Sequence, residues 1–240
     1  MSRREFITVL TGATAWMSLA RAQEARPVIG YLSGFEHSTM DDLPFFLSEG
    51  LKATGFIEGK NVSIEFRWAD GHYDRLSMLM AELVGRNVSV IHATDLPAAF
   101  VAKAATKTIP IVFVSGADPI KMGLVESFSR PNGNLTGMTS YVGVAEPKRV
   151  ELLHELLPNV KTIALLGNPN NVNFQPAVPD NRAAANALEQ RLEVLTASTE
   201  SQLDAVFAAM VQRRVGALSI IADPFLSPGV NGLLSWQLAI

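Results

Sequence analysis

A chain of 240 residues that is 48% hydrophobic and 18% charged has the material for a sizeable core, arranged as one large domain or two small ones. Its formal net charge of −3 offers no electrostatic footprint for DNA, RNA or an anionic membrane surface. With no cysteine, disulfides, thiolate metal sites, a cysteine nucleophile and a lipid-anchored lipoprotein are all excluded.

The first expected element is a leader spanning residues 1–22. Arg3 and Arg4 supply a charged start, Phe6 to Ala20 form a mildly apolar stretch, and Ala20-Arg21-Ala22 offers the small-x-small pattern cut by a signal peptidase. The apolar stretch is too short to remain as a membrane span. Ser2-Arg3-Arg4-Glu5-Phe6-Ile7 resembles a twin-arginine export signal, with Ile7 as an aliphatic substitute and Thr8 where lysine is common; the general secretory route is the alternative. The expectation is cleavage after Ala22, a mature start at Gln23, and a periplasmic protein that does not insert into the membrane. The leader carries Arg3, Arg4 and Arg21 against Glu5, so its removal leaves a more acidic chain. No later run approaches the ~20 uninterrupted apolar residues of a transmembrane helix.

From Pro27 onward, short apolar runs alternate with segments of helical period. Val28 to Leu32 reads as a buried strand, and a helix from Asp42 to Thr54 ends at Gly55. Val62 to Trp68 alternates as a strand, and Leu76, Leu79, Met80, Leu83 and Val84 recur at helical spacing. Val88 to Ala93 is a strand, Pro97 to Thr106 a helix, and Ile111 to Val114 another strand. Such alternation predicts an α/β protein with parallel sheets flanked by helices.

The pattern then restarts. Thr162 to Leu166 reads as a strand, Asp180 to Leu192 as a helix, and Glu193 to Ala197 as a strand; Thr199 and Gln202 have capping-box spacing before the next helix. That helix carries Leu203, Val206, Phe207, Met210 and Val211, each 127 positions after its counterpart in the first set. Arg213-Arg214-Val215 likewise follows Arg86-Asn87-Val88, so two similarly built lobes are expected. Between them lies the turn cluster Arg130-Pro131-Asn132-Gly133-Asn134, then the apparent crossing strand Leu135 to Thr139, then a helix opened by Glu146-Pro147. The hinge is placed near residues 130–145. The first lobe is set at 27–135, with the hinge and second lobe at 136–240.

In open α/β sheets ligands collect beyond the carboxyl ends of the strands, where helix-start N–H groups favour anionic groups. Those ends are rich in small polar residues: Ser33-Gly34, Ala93-Thr94-Asp95, Ser115-Gly116-Ala117-Asp118, Gly167-Asn168-Pro169-Asn170-Asn171 and Ala222-Asp223. Each also suits helix capping, so the pattern locates a cleft without proving a ligand. Tyr141, just past the hinge cluster, suits stacking on an aromatic ligand or plain packing. Catalytic motifs are absent: there is no Gly-x-Ser-x-Gly elbow, phosphate-binding glycine loop, Gly-x-Gly-x-x-Gly or His-Glu-x-x-His. His37, His72, His92 and His154 show no metal-pair spacing. No enzyme activity, cofactor or metal is expected.

Several long segments, in order, resemble one family. They are PVIGYLSG, GLKATGFIEGKNVSIEFRWADGHYDRL, KAATKTIPIVFVSGADPIKMGLVESFSRPNGNLTG, LLHELLPNVKTIALLGNPNN, and Ile221-Ala222-Asp223-Pro224-Phe225. They look like the substrate-binding proteins of ABC uptake systems, in the branch related to tryptophan- and tyrosine-binding lipoproteins. The resemblance implies a type I periplasmic-binding fold, with two lobes, a hinge of crossing strands and ligand trapped between them. By the same resemblance Thr94 matches a ligand-carboxylate contact. Ser115 and Asp118 match the Ser/Thr-x-x-Asp-Pro turn of the same lobe, Asn168 and Asn170 the opposite lobe's first loop, and Asp223 its later one. Ser33, at the first strand end, joins the candidate set. Helix-start N–H groups and hydroxyls suit a carboxylate, while Asp223 or Asp118 would hold an ammonium.

The function implied is capture of a small organic solute, such as an amino acid, for an ABC permease in the inner membrane. A ligand-sensing extracytoplasmic domain of a signalling system is the alternative reading, and a non-functional truncated product is another. The last rests on the internal comparison: after Asp223 nothing matches the helix and strand that follow Asp95, and the tail Gly229 to Ile240 departs from the family pattern as a frameshift would make it.

Overall fold

The computed structural model describes residues 26–37, 42–131, 133–140 and 145–226. The expected leader, Tyr141 and the tail from 229 therefore lie outside the described residues.

The apolar run at the start of the described chain becomes the centre of a sheet. Strand β1 (Val28–Ser33) lies parallel to β2 (Ser63–Trp68) on one side and β3 (Val90–Ala93) on the other. Strands β4 (Ile111–Ser115) and β5 (Leu135–Thr139) extend it in parallel, giving the order β2-β1-β3-β4-β5. Helices α1 (Asp42–Ala53), α2 (Leu76–Gly85) and α3 (Leu96–Ala105) complete this first lobe. Its core places Leu32, Ile91, Ile111 and Phe113 of the sheet against Leu79, Met80 and Leu83 of α2 and Ala98, Ala99 and Ala102 of α3. The alanine face lets α3 approach the strands closely, which fixes the start of that helix beside the end of β3.

The second lobe repeats the plan. Helix α4 (Glu146–Leu156) leads into β6 (Thr162–Gly167), α5 (Phe174–Ala187), β7 (Arg191–Thr196), α6 (Glu200–Gln212) and β8 (Ala217–Ile220). Its parallel sheet has the order β7-β6-β8, the same as β2-β1-β3 in the first lobe. The repeat reaches the backbone. Asn87 and Arg214, 127 positions apart, both adopt φ 52° at the ends of α2 and α6. A left-handed residue at this point ends each helix and turns the chain into the next strand.

Three expectations are corrected. Helix α5 starts at Phe174, not Asp180, and ends at Ala187, so Leu192 belongs to β7. Pro176 lies in the first turn, where no amide is needed, and Pro179 is carried inside the helix because Phe174, 1% exposed, anchors the earlier start in the core. The capping box at Thr199 is not formed as expected. Gln202 Oε1 instead accepts from the Ser198 N–H at 2.8 Å and from the Ser198 hydroxyl at 3.2 Å, while Thr199 Oγ1 meets Ser201 Oγ. Finally, Leu135–Thr139 is more than a crossing segment. It pairs with β4 from Ile111↔Leu135 to Ser115↔Thr139, so the first sheet runs through Thr139.

Gly167, at the end of β6, tests the packing that starts α5. A Cβ there would sit 2.2 Å from Phe174 Cδ2. Gly167→Ala is expected to destabilise the protein by about 1–3 kcal/mol, because the buried ring has to move. Urea unfolding of the variant is the measurement; a change below about 0.5 kcal/mol would show that α5 is not anchored this way.

Candidate functional site

The carboxyl ends of both sheets face one another, and the best-ordered polar constellation joins them. Its first-lobe component comes from the turn after β2. Asp70 and Gly71 adopt φ 53° and 77°, and the turn is tied back to the end of β1 by Ala69 N–H to Ser33 O at 2.8 Å and Gly71 N–H to Gly34 O at 2.8 Å. Gly71 lies against Phe225 of the second lobe, whose Cα is 3.4 Å from the position of a Cβ, and its φ of 77° is one a larger residue would rarely adopt. This close turn delivers Tyr73 to the junction.

Tyr73 donates its hydroxyl to Asp223 Oδ2 at 2.6 Å, a contact across 150 positions of sequence. Asp223 is 2% exposed and sits in the loop after β8. Its carboxylate also accepts from Asn171 Nδ2 at 2.7 Å, Asn168 Nδ2 at 3.5 Å, and the Phe225 and Leu226 N–H groups at 2.8 and 3.0 Å. Burial and the Asp223 charge push the Tyr73 phenol far above its ordinary range, so it remains a donor. Helix α4 braces this loop from behind. The Ala222 N–H donates to Glu146 Oε1 at 3.2 Å, and Arg149 Nη1 donates to Ile220 O at 3.1 Å. Glu146 is 1% exposed, and burial raises its carboxyl above the usual range.

Asp95 faces the same junction from the first lobe. It caps α3, with Oδ1 accepting from the Ala98 N–H at 2.9 Å and Oδ2 from the Gly34 N–H at 2.5 Å. Burial raises its carboxyl to about 6, against the lowering effect of those donors and the Thr94 hydroxyl, and the negative charge of Asp223 adds to the rise. Thr94 itself is half-buried. Its hydroxyl lies 3.4 Å from both Leu32 O and Asp95 Oδ2 and also meets the Tyr31 hydroxyl.

The other expected residues are placed as follows. Ser33 is fully buried and its Oγ accepts from the Phe35 N–H at 3.2 Å. Ser115, also fully buried, donates to Ala117 O at 2.7 Å and accepts from the Ala117 N–H at 3.1 Å, so its hydroxyl shapes its own turn. Asp118 Oδ1 accepts from the Ile120 and Lys121 N–H groups at 2.8 and 3.2 Å. Asn168 Oδ1 holds the Asn170 N–H at 3.0 Å, and the Asn170 residue is exposed. His92 packs its ring against Tyr31 at a centroid distance of 5.5 Å, and burial lowers its pKa. Tyr31 also meets Phe66 and Trp68, at 5.1 and 5.0 Å, and the Trp68 indole nitrogen is buried without a hydrogen-bond partner among the described residues.

A second junction lies beside the loop after β4. There a cavity of about 310 Å³ is lined by Ala117, Asp118, Lys121 and Met122 of the first lobe and by Pro147, Asn173 and Asp180 of the second. Lys121 Nζ and Asp180 Oδ2 span it at 2.7 Å. The lining combines apolar carbons with charges of both signs, a surface suited to a small amphipathic zwitterion. No group of His, Asp or Glu able to hold a metal ion occurs among the described residues.

Two parallel-sheet lobes of like topology, with polar strand-end loops meeting across a cleft, define a protein of the type I periplasmic-binding fold. Residues 29–237 match the family of ABC transporter substrate binding proteins, and the chain belongs to that family. It is 28% identical over 183 residues to a tyrosine-binding protein of Clostridioides difficile strain R20291, an alignment covering 76% of this chain and 52% of that one. The chain thus spans about half the length of that curated relative. Among solved structures, a conserved domain protein of Vibrio cholerae superposes with a TM-score of 0.77 at 27% identity, covering 88% of this chain and 70% of the other. An ABC domain from Streptococcus pneumonia in complex with L-Trp gives a TM-score of 0.76 at 25% identity, with the same coverage.

Sequence reasoning missed Tyr73 as a cleft residue, and it held Asp95 and Asn171 only in the strand-end set that suits capping or a cleft, not among the named ligand candidates. The Asp95 carboxyl yields a pH prediction. Its folded-state value near 6 exceeds the ordinary 3.8, so between the two the folded protein binds the extra proton. Stability therefore falls as pH rises from about 4 to about 6 and levels off above that. Asp95→Asn is expected to flatten this part of the profile in urea melts; an unchanged slope would assign the dependence elsewhere.

Proposed function

We propose that the chain is the periplasmic solute receptor of an ABC importer and that it captures an aromatic amino acid between its lobes. The observation that carries this reading is the 310 Å³ interlobe cavity, where apolar walls and charges of both signs come from two lobes that can separate. An amino acid needs that combination. Lys121 suits its carboxylate, the carboxylates of Asp118 and Asp180 suit its ammonium, and Met122 with Pro147 provides apolar contact for a ring. Thr94, Ser33, Ser115, Asn168 and Asn170 form the strand-end loops around the cleft, and Tyr141 belongs to the same set by sequence position. The relatives named for tyrosine and L-Trp support the choice of ligand class.

Ligand contacts made by both lobes stabilise the closed form only when they are absent in the open one, so capture is coupled to closure. The closed form is then the species offered to the membrane permease. Export through the leader, with cleavage after Ala22, delivers the receptor to the periplasm.

Titration calorimetry with L-tryptophan, L-tyrosine, L-lysine and D-ribose tests the ligand class. One aromatic amino acid is expected to bind at a single site with a dissociation constant of about 1 μM or tighter, corresponding to about −8 kcal/mol. Asp118→Asn and Asp180→Asn, both in the lining of the cavity, are each expected to weaken that binding about tenfold while moving stability by less than about 1 kcal/mol. Saturable binding of the sugar or of lysine, with none of the aromatic amino acids, would overturn the assignment.

A further inference from the structure

We propose that Tyr73 is the positioning residue that sets lobe closure, and that Asp223 is its anchor across the cleft and not the counter-ion of the ligand. A carboxylate offers about four lone-pair sites. Asp223 already accepts from two asparagine amides, two backbone N–H groups and the Tyr73 hydroxyl. A ligand ammonium would have to displace one of them. Four of the donors, from Asn168, Asn171, Phe225 and Leu226, belong to Asp223's own lobe and shape its loop. Tyr73 alone among these donors comes from the other lobe.

The geometry on each side is rigid. Asp223's loop is braced by Glu146 and Arg149 of α4, the first helix of the second lobe. Tyr73 is held by the Asp70-Gly71 turn and by Arg75, which donates to Ala69 O at 3.2 Å and pairs with Asp70 at 3.1 Å. A short hydrogen bond between two braced loops, more buried than the exposed Lys121–Asp180 pair, therefore favours one interlobe angle. Such a bond to a charged acceptor is strong when shielded from water, and opening the lobes exposes both partners to solvent that replaces it. The expected effect of removing it is about tenfold on the closed-to-open ratio.

The ligand-affinity part of this inference rests on the cleft being the solute site; the closure part does not. Because the chain has no cysteine, dyes can be placed at Met78→Cys in the first lobe and Arg182→Cys in the second without background labelling. Single-molecule energy transfer on the ligand-free protein is then compared with Tyr73→Phe, which keeps the ring that packs on the first-lobe core. The closed population should drop about tenfold relative to the open one, and the affinity for L-tryptophan should weaken in parallel. An unchanged distribution would overturn the proposal. A rise in affinity would also overturn it, since Tyr73 would then be a competitor for the ligand's place. Failure of L-tryptophan to bind either protein would remove the ligand assignment and leave the energy-transfer result to decide on closure.

Discussion

The Asp223 carboxylate is buried at the meeting of two lobes, and a buried charge persists only when its lone pairs are filled. That requirement organises much of the cleft. It calls for amide donors at Asn168 and Asn171, for a tight loop that turns the Phe225 and Leu226 N–H groups inward, and for a hydroxyl from the opposite lobe. The loop in turn needs support, which α4 supplies through Glu146 and Arg149. The Asp223 junction is thus held chiefly by hydrogen bonds, with the Gly71–Phe225 contact beside them.

Electrostatics bear on how firmly this junction holds. The Lys121–Asp180 pair is more than half exposed on both sides, so solvent and salt screen it and it contributes little to holding the lobes together. The Asp95 carboxyl is raised to about 6 chiefly by its burial, and the nearby Asp223 charge adds the smallest part of the rise. The lobes are thus held in a balance of modest contacts: the Tyr73–Asp223 hydrogen bond, the Gly71–Phe225 contact and the screened Lys121–Asp180 pair. A solute that adds contacts to both lobes can tip such a balance, whereas two lobes joined by a large apolar interface would not respond.

The strand and helix order was legible in the sequence because its signals are local. Alternation marked β2, and the Leu76-Leu79-Met80-Leu83 spacing marked α2 and, at the same offset, α6. The shared φ of Asn87 and Arg214 shows that the repeat extends to the helix ends. Helix α5 begins before Asp180 because burial of Phe174 against Gly167 overrides the local disfavour of Pro176 and Pro179 for a helix. Asp118, Asn168 and Asp223 stood out as candidates because they follow apolar runs at strand ends. Tyr73 was not, since it lies in a polar turn whose partner is 150 positions away and no local pattern encodes that contact. Asn171 was visible only as one more capping candidate, and its role depends on the same distant loop.

The central claim is that both lobes contact one solute. It is tested most directly by amide NMR of the isotopically labelled protein titrated with L-tryptophan. The account predicts one saturable set of shifts at the Thr94 and Asp118 loops of the first lobe and at the Asn170 and Asp223 loops of the second, all with the same dissociation constant. Saturable shifts confined to a single lobe, or separate constants for the two lobes, would contradict it.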